Sequence, residues 1–389
     1  LNHNKIKMVN IWNSIKNKIY RNREVSSITF ADVLGTIISG SFWMILPILL
    51  PSEDFGMLNY FLAISSFSFG LALFSTRDTI TVYSSKSIQI SSTLFFICLI
   101  SGTAALIVTY ILFSKIEIGI LALFFILNDL GFGILLGKRQ HKKYVQYVLS
   151  QKILVLIFGL SFFYLFGVDG ILFGFILSYL HFTYLIYKEF SISKVDFKLL
   201  KTHFGFIFNN YIISIAGSFR NHLDKIIIGS FLSFSILGHY SLSVQLFALM
   251  MLVTNSIYKY TLSLDSRGID TKKIKSYAIY LSIIISMLGF FILPLIIPFV
   301  FPKYLAAIDS IRIISLTVIP ATIGQILSSK LLGNEKSRHI LQGRILSAGV
   351  MVSLLILLGN MYELIGISLA FLFSTTSYSI YLFFISKKL

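Results

Sequence analysis

The sequence predicts an all-α integral membrane protein of about twelve transmembrane helices in two six-helix lobes, with both termini cytoplasmic. Three observations carry this: a scarcity of charge, twelve apolar segments of spanning length, and a one-sided distribution of Lys and Arg.

Charge comes first. The chain has 389 residues, 56% of them hydrophobic and 13% charged, with mean hydropathy +0.84. A soluble domain carries about 25% charged residues. So few charges cannot cover a water-facing surface, and the surplus apolar area must face lipid. The 37 Phe and 20 Tyr fit that solvent, since Tyr also gathers at the two membrane interfaces. The net charge of +17 would suggest a nucleic-acid partner in a soluble protein. Here the cations lie in short loops between apolar runs, which points to anionic lipid and away from nucleic acid.

Spanning the hydrocarbon takes roughly 20 apolar residues. The segments 28–49, 57–76, 90–113, 117–136, 147–166, 169–187, 204–230, 236–258, 277–301, 306–329, 338–359 and 363–385 qualify. The chain begins at Leu1, and its first 27 residues are polar and basic. No small-residue cleavage motif follows the first apolar run, which therefore reads as an uncleaved helix. With the N-terminus in the cytoplasm, the inner segments hold 26 of the 33 Lys and Arg. The outer loops hold only Lys115 and Lys303, and five cations lie within helices. By the positive-inside rule this orients every helix and leaves both ends cytoplasmic.

Two short matches suggest duplication. Leu135-Leu136-Gly137 and Leu331-Leu332-Gly333 each precede a basic loop, after the fourth and tenth segments. Phe55-Gly56 follows the first segment and Leu237-Gly238 the seventh. A period of six helices keeps both halves in one orientation, as in parallel repeats. The expected organisation is a basic tail (1–27), a first lobe (28–187), a linker (188–203) and a second lobe (204–386).

Ionisable groups inside hydrocarbon are functional candidates by default. The densest cluster is Arg220-Asn221-His222, Asp224 and Lys225, in the seventh segment. Arg220 and Asp224 are four apart on one helical face and suited to pair. The cluster fits a cationic contact for a phosphate or sugar, and equally a structural ion pair. Arg77 and Asp78 end the second segment, as an interfacial pair or a contact at the cytoplasmic mouth. Asp129, beside Asn128, lies about 12 Å from the basic loop at 1.5 Å per residue. It fits a proton or sodium site, or a hydrogen bond to a neighbouring helix. Asp32 suits the dipole at the start of the first helix and stands with Asp129 as an ion-coupling candidate. Lys152 and Arg344 are expected to snorkel to the interface, and Asp309 and Arg312 to pair. Pro294, Pro298 and Pro320 allow kinks.

Other chemistry is missing. There is no Gly-Lys-Ser phosphate loop, no metal-ligand spacing and no Ser-His-Asp arrangement. The single Cys98 permits no intrachain disulfide. Neither an enzyme nor a cofactor is expected.

Several stretches resemble a known family. Leu50-Pro51-Ser52-Glu53-Asp54-Phe55-Gly56-Met57-Leu58 resembles the acidic-Phe-Gly loop after the first helix of bacterial polysaccharide exporters. Leu223-Asp224-Lys225-Ile226-Ile227-Ile228-Gly229 with Leu237-Gly238-His239-Tyr240 is similar to their helix 7 to 8 region. Phe301-Pro302-Lys303-Tyr304 with Ile311-Arg312-Ile313-Ile314 is similar to the start of their tenth helix. The family is the O-antigen/capsule repeat-unit flippases of the multidrug/oligosaccharidyl-lipid/polysaccharide exporter superfamily. The resemblance runs from about residue 28 to the C-terminus.

This resemblance implies a bacterial inner-membrane flippase with a central cavity between the lobes. Its substrate would be an undecaprenyl-diphosphate-linked oligosaccharide, moved from the cytoplasmic to the periplasmic leaflet by alternating access. The family's helices 1, 2, 7 and 8 tend to line the cavity, which makes Arg77, Arg220, Asp224 and Lys225 candidate contacts. Arg suits a diphosphate, and Asn209, Asn210, Gln245 and Asn255 suit sugar hydroxyls. Coupling to H+ or Na+, and polymerase or chain-length partners, would complete the system. The competing readings are an ion-coupled multidrug exporter, a polysaccharide polymerase, and a passive channel. An acidic cavity would favour the first and a large outer loop the second.

Overall fold

The computed structural model describes residues 30–192, 194–267, 269–334 and 336–388. The basic tail 1–27 lies outside them, as do the side chains of Arg220 and Lys388. Among the described residues every regular element is helical. They are α1 (Phe30–Leu49), α2 (Ser52–Ala72), α3 (Arg77–Ser85), α4 (Ser91–Phe113), α5 (Ile116–Gly137), α6 (His141–Tyr179), α7 (His181–Ile192) and α8 (Phe197–Phe231). There follow α9 (Phe234–Asp265), α10 (Lys272–Phe291), α11 (Leu293–Val300), a 3-10 turn (Pro302–Ala307), α12 (Ile308–Leu316), α13 (Val318–Gly333) and α14 (Ser337–Lys388).

Nine helical stretches among the described residues are long and apolar enough to cross a membrane. α8 is not one of them, because its uncharged stretch 202–219 carries His203, Asn209 and Asn210 and is too polar. Large apolar side chains point outward, with Phe299 87% exposed and Ile111 71%. Hydroxyls such as Ser65, Ser92, Thr79 and Ser310 are buried. Small polar residues between helices and large apolar ones around them are what a lipid solvent selects. The chain is a multi-pass membrane protein.

Two helices are much longer than a bilayer is thick, and both turn back. α6 has 39 residues, which would run about 58 Å if straight. It breaks at Gly167 (φ 68°, ψ −148°). A Cβ on Gly170 would lie 2.1 Å from the Phe162 carbonyl oxygen, so the two arms are in backbone contact. α14 breaks the same way at Glu363 (φ 44°, ψ −122°). There a Cβ on Gly366 would lie 1.9 Å from the Leu358 oxygen, and Ser347 Oγ donates to the Ser374 carbonyl across the hairpin.

Breaks lie near two of the three prolines at which the sequence allows kinks, while Pro298 sits inside α11 without one. The ladder is interrupted at Ile292 between α10 and α11 and at Thr317 between α12 and α13. Pro294 and Pro320 sit in the first turn after each break, where the missing N–H leaves no helical bond unmade.

The chain divides into two compact units, 1–44 with 65–218 and 45–64 with 219–389. The boundaries fall inside α1, α2 and α8. In the first unit, α5 packs on α3 through Gly133 and Gly137. A Cβ on Gly133 would meet the Arg77 carbonyl at 2.8 Å, and one on Gly137 the Ser84 Cβ at 2.5 Å. The Leu-Leu-Gly signal of the sequence is therefore a close helix crossing. Gly333 repeats it in the second unit, within 3.0 Å of Asp265. There Asp265 accepts from Thr271, Lys275 and Ser329.

One corner of the second unit gathers three of the stretches that resembled the exporters. Gly56 of α2 and Gly238 of α9 meet backbone to backbone. Tyr304 stacks edge-on against Phe55 and His239, with centroids 6.1 and 5.5 Å apart. Its hydroxyl donates to the Leu50 carbonyl at 3.2 Å, and Lys303 Nζ donates to Leu49 O at 2.7 Å. These carbonyls end α1 and lack helical partners, so the Lys303-Tyr304 pair caps α1.

Candidate functional site

The second unit encloses a cavity of about 470 Å3, within the size range of small-molecule sites. α9 contributes a stripe, Phe247, Met251, Asn255 and Tyr258, spaced three or four residues apart on one face. The span from 247 to 258 is about 16 Å at 1.5 Å per residue. α8, α13 and both arms of the α14 hairpin supply the remaining walls.

The cavity is polarised along α9. Its middle is apolar, with Phe247 edge-on to Phe371 at 5.3 Å and Met251 and Met351 beside them. One end is polar and carries Tyr258, Ser328, Arg344, Ser347 and Tyr378. There Ser328 Oγ and Tyr378 OH share a hydrogen bond of 2.7 Å. Gln325 Nε2 donates to Asn255 Oδ1 at 2.5 Å, which leaves Gln325 Oε1 buried without a partner. The other end carries Asp224. Tyr240 OH donates to Asp224 Oδ2 at 2.9 Å, and Lys225 Nζ lies 3.6 Å from the same oxygen. Asp224 Oδ1 is buried and has no partner among the described residues.

The charge at the two ends differs. Lys225 offsets Asp224 locally. Arg344, by contrast, makes no ion pair or hydrogen bond among the described residues, and its exposed side chain lines the cavity. The free charge of the cavity is therefore positive. Sequence spacing suggested snorkelling for Arg344. The α14 hairpin turns that face of its first arm toward α9 and α13 instead. The signal was available in part, since Arg344 is followed at i+3 and i+4 by the small residues Ser347 and Ala348, which leave room beside it.

The other candidates lie as follows. Arg220 is in α8, but its side chain lies outside the described residues. Asn255 lines the cavity. Gln245 is on α9 with Nε2 buried and unpartnered. Asn210 donates to the Phe206 carbonyl within its own helix. Asp309 and Arg312 pair at 3.0 Å as expected.

Asp129, Arg77 and Asp32 belong to the first unit. Arg77 pairs with Asp129, Nε to Oδ1 at 3.3 Å, and not with the adjacent Asp78. The backbone N–H of Arg77, at the first position of α3, also donates to Asp129 Oδ2 at 2.7 Å. Thr76 is the N-cap of α3, accepting from the Thr79 N–H, and Asp129 adds a second acceptor from a neighbouring helix, a favourable place for a carboxylate in the helix dipole. The Arg77 guanidinium rests over the Phe132 ring, 5.0 Å from its centroid. Asp32 accepts from Tyr144 OH at 3.2 Å. Among the described residues no group of His, Cys, Asp and Glu could hold a metal ion.

No protein-family model matches the sequence, and no curated protein matches it. Solved structures do. The chain superimposes on the lipid II flippase MurJ in an inward closed conformation with TM-score 0.74 and 16% identity, covering 92% of this chain and 87% of that one. An inward-facing multidrug resistance MATE family transporter of the MOP superfamily gives TM-score 0.66 and 15% identity, over 91% and 94% of the two chains. A MOP superfamily transporter from Pyrococcus furiosus, with a binding pocket of reversed polarity, gives 0.57 and 14%, over 94% of each. The chain has the MOP-type transporter fold, and these neighbours are flippases and transporters, not enzymes.

Proposed function

We propose that the chain is a bacterial inner-membrane flippase. In this reading it moves undecaprenyl-diphosphate-linked oligosaccharide repeat units from the cytoplasmic to the periplasmic leaflet, for O-antigen or other surface polysaccharide. The observation that carries the reading is the free guanidinium of Arg344 in a cavity walled by amides, hydroxyls and aromatic rings. A charged head group crosses a low-dielectric slab only if the protein replaces its hydration. Arg suits phosphate and carboxylate, and hydroxyls and amides suit sugars. The likeness to a lipid II flippase supports the same class of substrate.

In the proposed topology each arm of the α6 and α14 hairpins crosses the membrane. α8 crosses as well, which makes twelve crossings with both ends in the cytoplasm. The 26-to-2 partition of Lys and Arg supports that orientation. Arg220, Arg77, Asn210 and Gln245 remain proposed substrate contacts alongside Asp224 and Lys225. Coupling to H+ or Na+ is proposed to involve Asp129 or Asp32, and a polysaccharide polymerase would consume the product.

The likeness to MATE transporters favours a second reading, an ion-coupled multidrug exporter. An unpaired Arg344 in the cavity disfavours cationic drugs. Deletion of the gene separates the two. The flippase reading expects loss of surface polysaccharide, with lipid-linked repeat units accumulating on the cytoplasmic face. Normal surface sugar together with lost dye efflux would overturn it in favour of the exporter.

A further inference from the structure

We infer that the cavity of the second unit is a two-ended subsite for a saccharide bearing an anionic group, with the anion and a sugar hydroxyl at the end that holds Arg344 and Gln325 and a further hydroxyl at Asp224 at the other. The inference rests on the reading of the chain as a saccharide-lipid transporter and specifies what that site selects. Its basis is the set of groups the protein leaves unsatisfied. Buried polar atoms are nearly always hydrogen-bonded, so each orphan indicates an absent partner. In this cavity, among the described residues, the orphans are acceptors, Asp224 Oδ1 at one end and Gln325 Oε1 toward the other. They require donors, which hydroxyls provide. At the Gln325 end the unmatched group is a donor cation, Arg344, and it requires an acceptor anion.

Between the ends stand Phe247, Phe371 and Met251, apolar surfaces suited to the C–H faces of sugar rings. A lining about 16 Å long and a volume of about 470 Å3 suit one or two rings rather than a whole lipid-linked unit. A neutral sugar would satisfy the two acceptors and leave the guanidinium bare. A cationic amphiphile would meet Arg344 as a like charge, and at the other end an Asp224 already engaged by Lys225 and Tyr240. A hydroxylated anion matches both ends. The anion has two sources, a carboxylate on the sugar or the diphosphate at its reducing end.

Binding to the purified full-length protein in nanodiscs tests this. The probes are a uronate-containing disaccharide, its neutral counterpart and inorganic pyrophosphate, each followed by calorimetry. The uronate disaccharide should bind more tightly than the neutral one. Arg344→Gln should weaken it by at least about tenfold, as loss of a hydrogen bond to a charged group implies, and leave the neutral sugar unchanged. Arg344→Lys should keep part of the preference and serves as the folding control. Pyrophosphate competing for the same site, with the same sensitivity to Arg344→Gln, would assign the anion to the diphosphate. Uronate preference without that competition would assign it to the sugar.

Equal binding of acidic and neutral disaccharides, binding of no probe, or indifference of both anions to Arg344→Gln would each overturn the inference. If the deletion strain still exports polysaccharide while binding follows charge, the flippase reading falls and the subsite stands. If export is lost and binding ignores charge, the inference falls alone.

Discussion

Gly56 and Gly238 face each other so closely that neither tolerates a side chain. A Cβ on Gly56 would lie 1.8 Å from the Phe234 carbonyl oxygen, and one on Gly238 would lie 1.8 Å from that of Ser52. Each glycine thus meets the carbonyl four residues before the other, and the contact is reciprocal. Such a crossing depends on close backbone approach, and Ser52 Oγ and Ser235 Oγ share a hydrogen bond beside it at 2.9 Å.

Gly56→Ala or Gly238→Ala should therefore destabilise the protein by about 1–3 kcal/mol, the usual cost of overpacking. Gly40→Ala, with nothing within 4 Å of its added Cβ in the interior of α1, should keep or raise stability, by up to about 1 kcal/mol. Thermal unfolding in detergent measures both, and a silent Gly238→Ala would contradict the geometry.

Ser52→Cys with Ser235→Cys should form a disulfide under mild oxidation, because the two Oγ atoms already lie at 2.9 Å and a disulfide needs Cβ atoms about 3.5–4.5 Å apart. Cys98 is buried and is replaced by Ala in the background. If α2 and α9 separate at this corner during transport, oxidation should stop translocation in vesicles and reductant should restore it. Full activity of the cross-linked protein would show that the corner stays closed throughout.

Glu363 and Gly167 hold positive φ at matching hairpin turns, 44° and 68°. Left-handed backbone costs a residue with a Cβ roughly 1–2 kcal/mol. Glu363→Gly should remove that strain and raise thermal stability. Gly167→Ala, in open space, should lower stability by about 1 kcal/mol through conformation alone. Opposite signs in the two unfolding curves are the expected result.

Asp129→Ala should cost about 1–3 kcal/mol, because it leaves the Arg77 N–H without its acceptor and a part-exposed guanidinium without its partner. Asp129→Asn keeps an acceptor for the Arg77 N–H and should cost less. If Asp129 also couples an ion, Asp129→Asn should alter the response of transport to an imposed pH or sodium gradient at matched protein levels. An unchanged response would leave Asp129 as an acceptor for α3 only.

Much was legible in the chain because lipid acts on composition and on period. The Leu135-Leu136-Gly137 match to Leu331-Leu332-Gly333 has a spacing of 196 residues. The same spacing separates Gly167 from Glu363 and Gly170 from Gly366, the hairpin turns and close contacts of α6 and α14. The duplication seen in three letters is repeated in backbone geometry. Arg344 and Asp129 were only half legible. Their positions along a helix follow from the sequence, but the neighbour each faces does not.

The sequence by itself determined that this chain lives in a membrane, since a 13% charge content cannot make a water-facing surface, and roughly where most of its helices lie, though α3 falls in a stretch read as a loop. It marked Gly56, Gly137, Gly238 and Gly333 as signs of duplication, and only the structure showed that helices approach there. Only the tertiary structure decided which polar groups meet. Asp129 took the first N–H of α3 beside the Thr76 cap, Lys303 and Tyr304 closed the end of α1, and Arg344 turned into a cavity with no partner among the described residues. The reason is physical. Hydropathy and helical period are local and additive along the chain. The partner of a charge is set by which face of a helix packs against which other, and that depends on contacts hundreds of residues away.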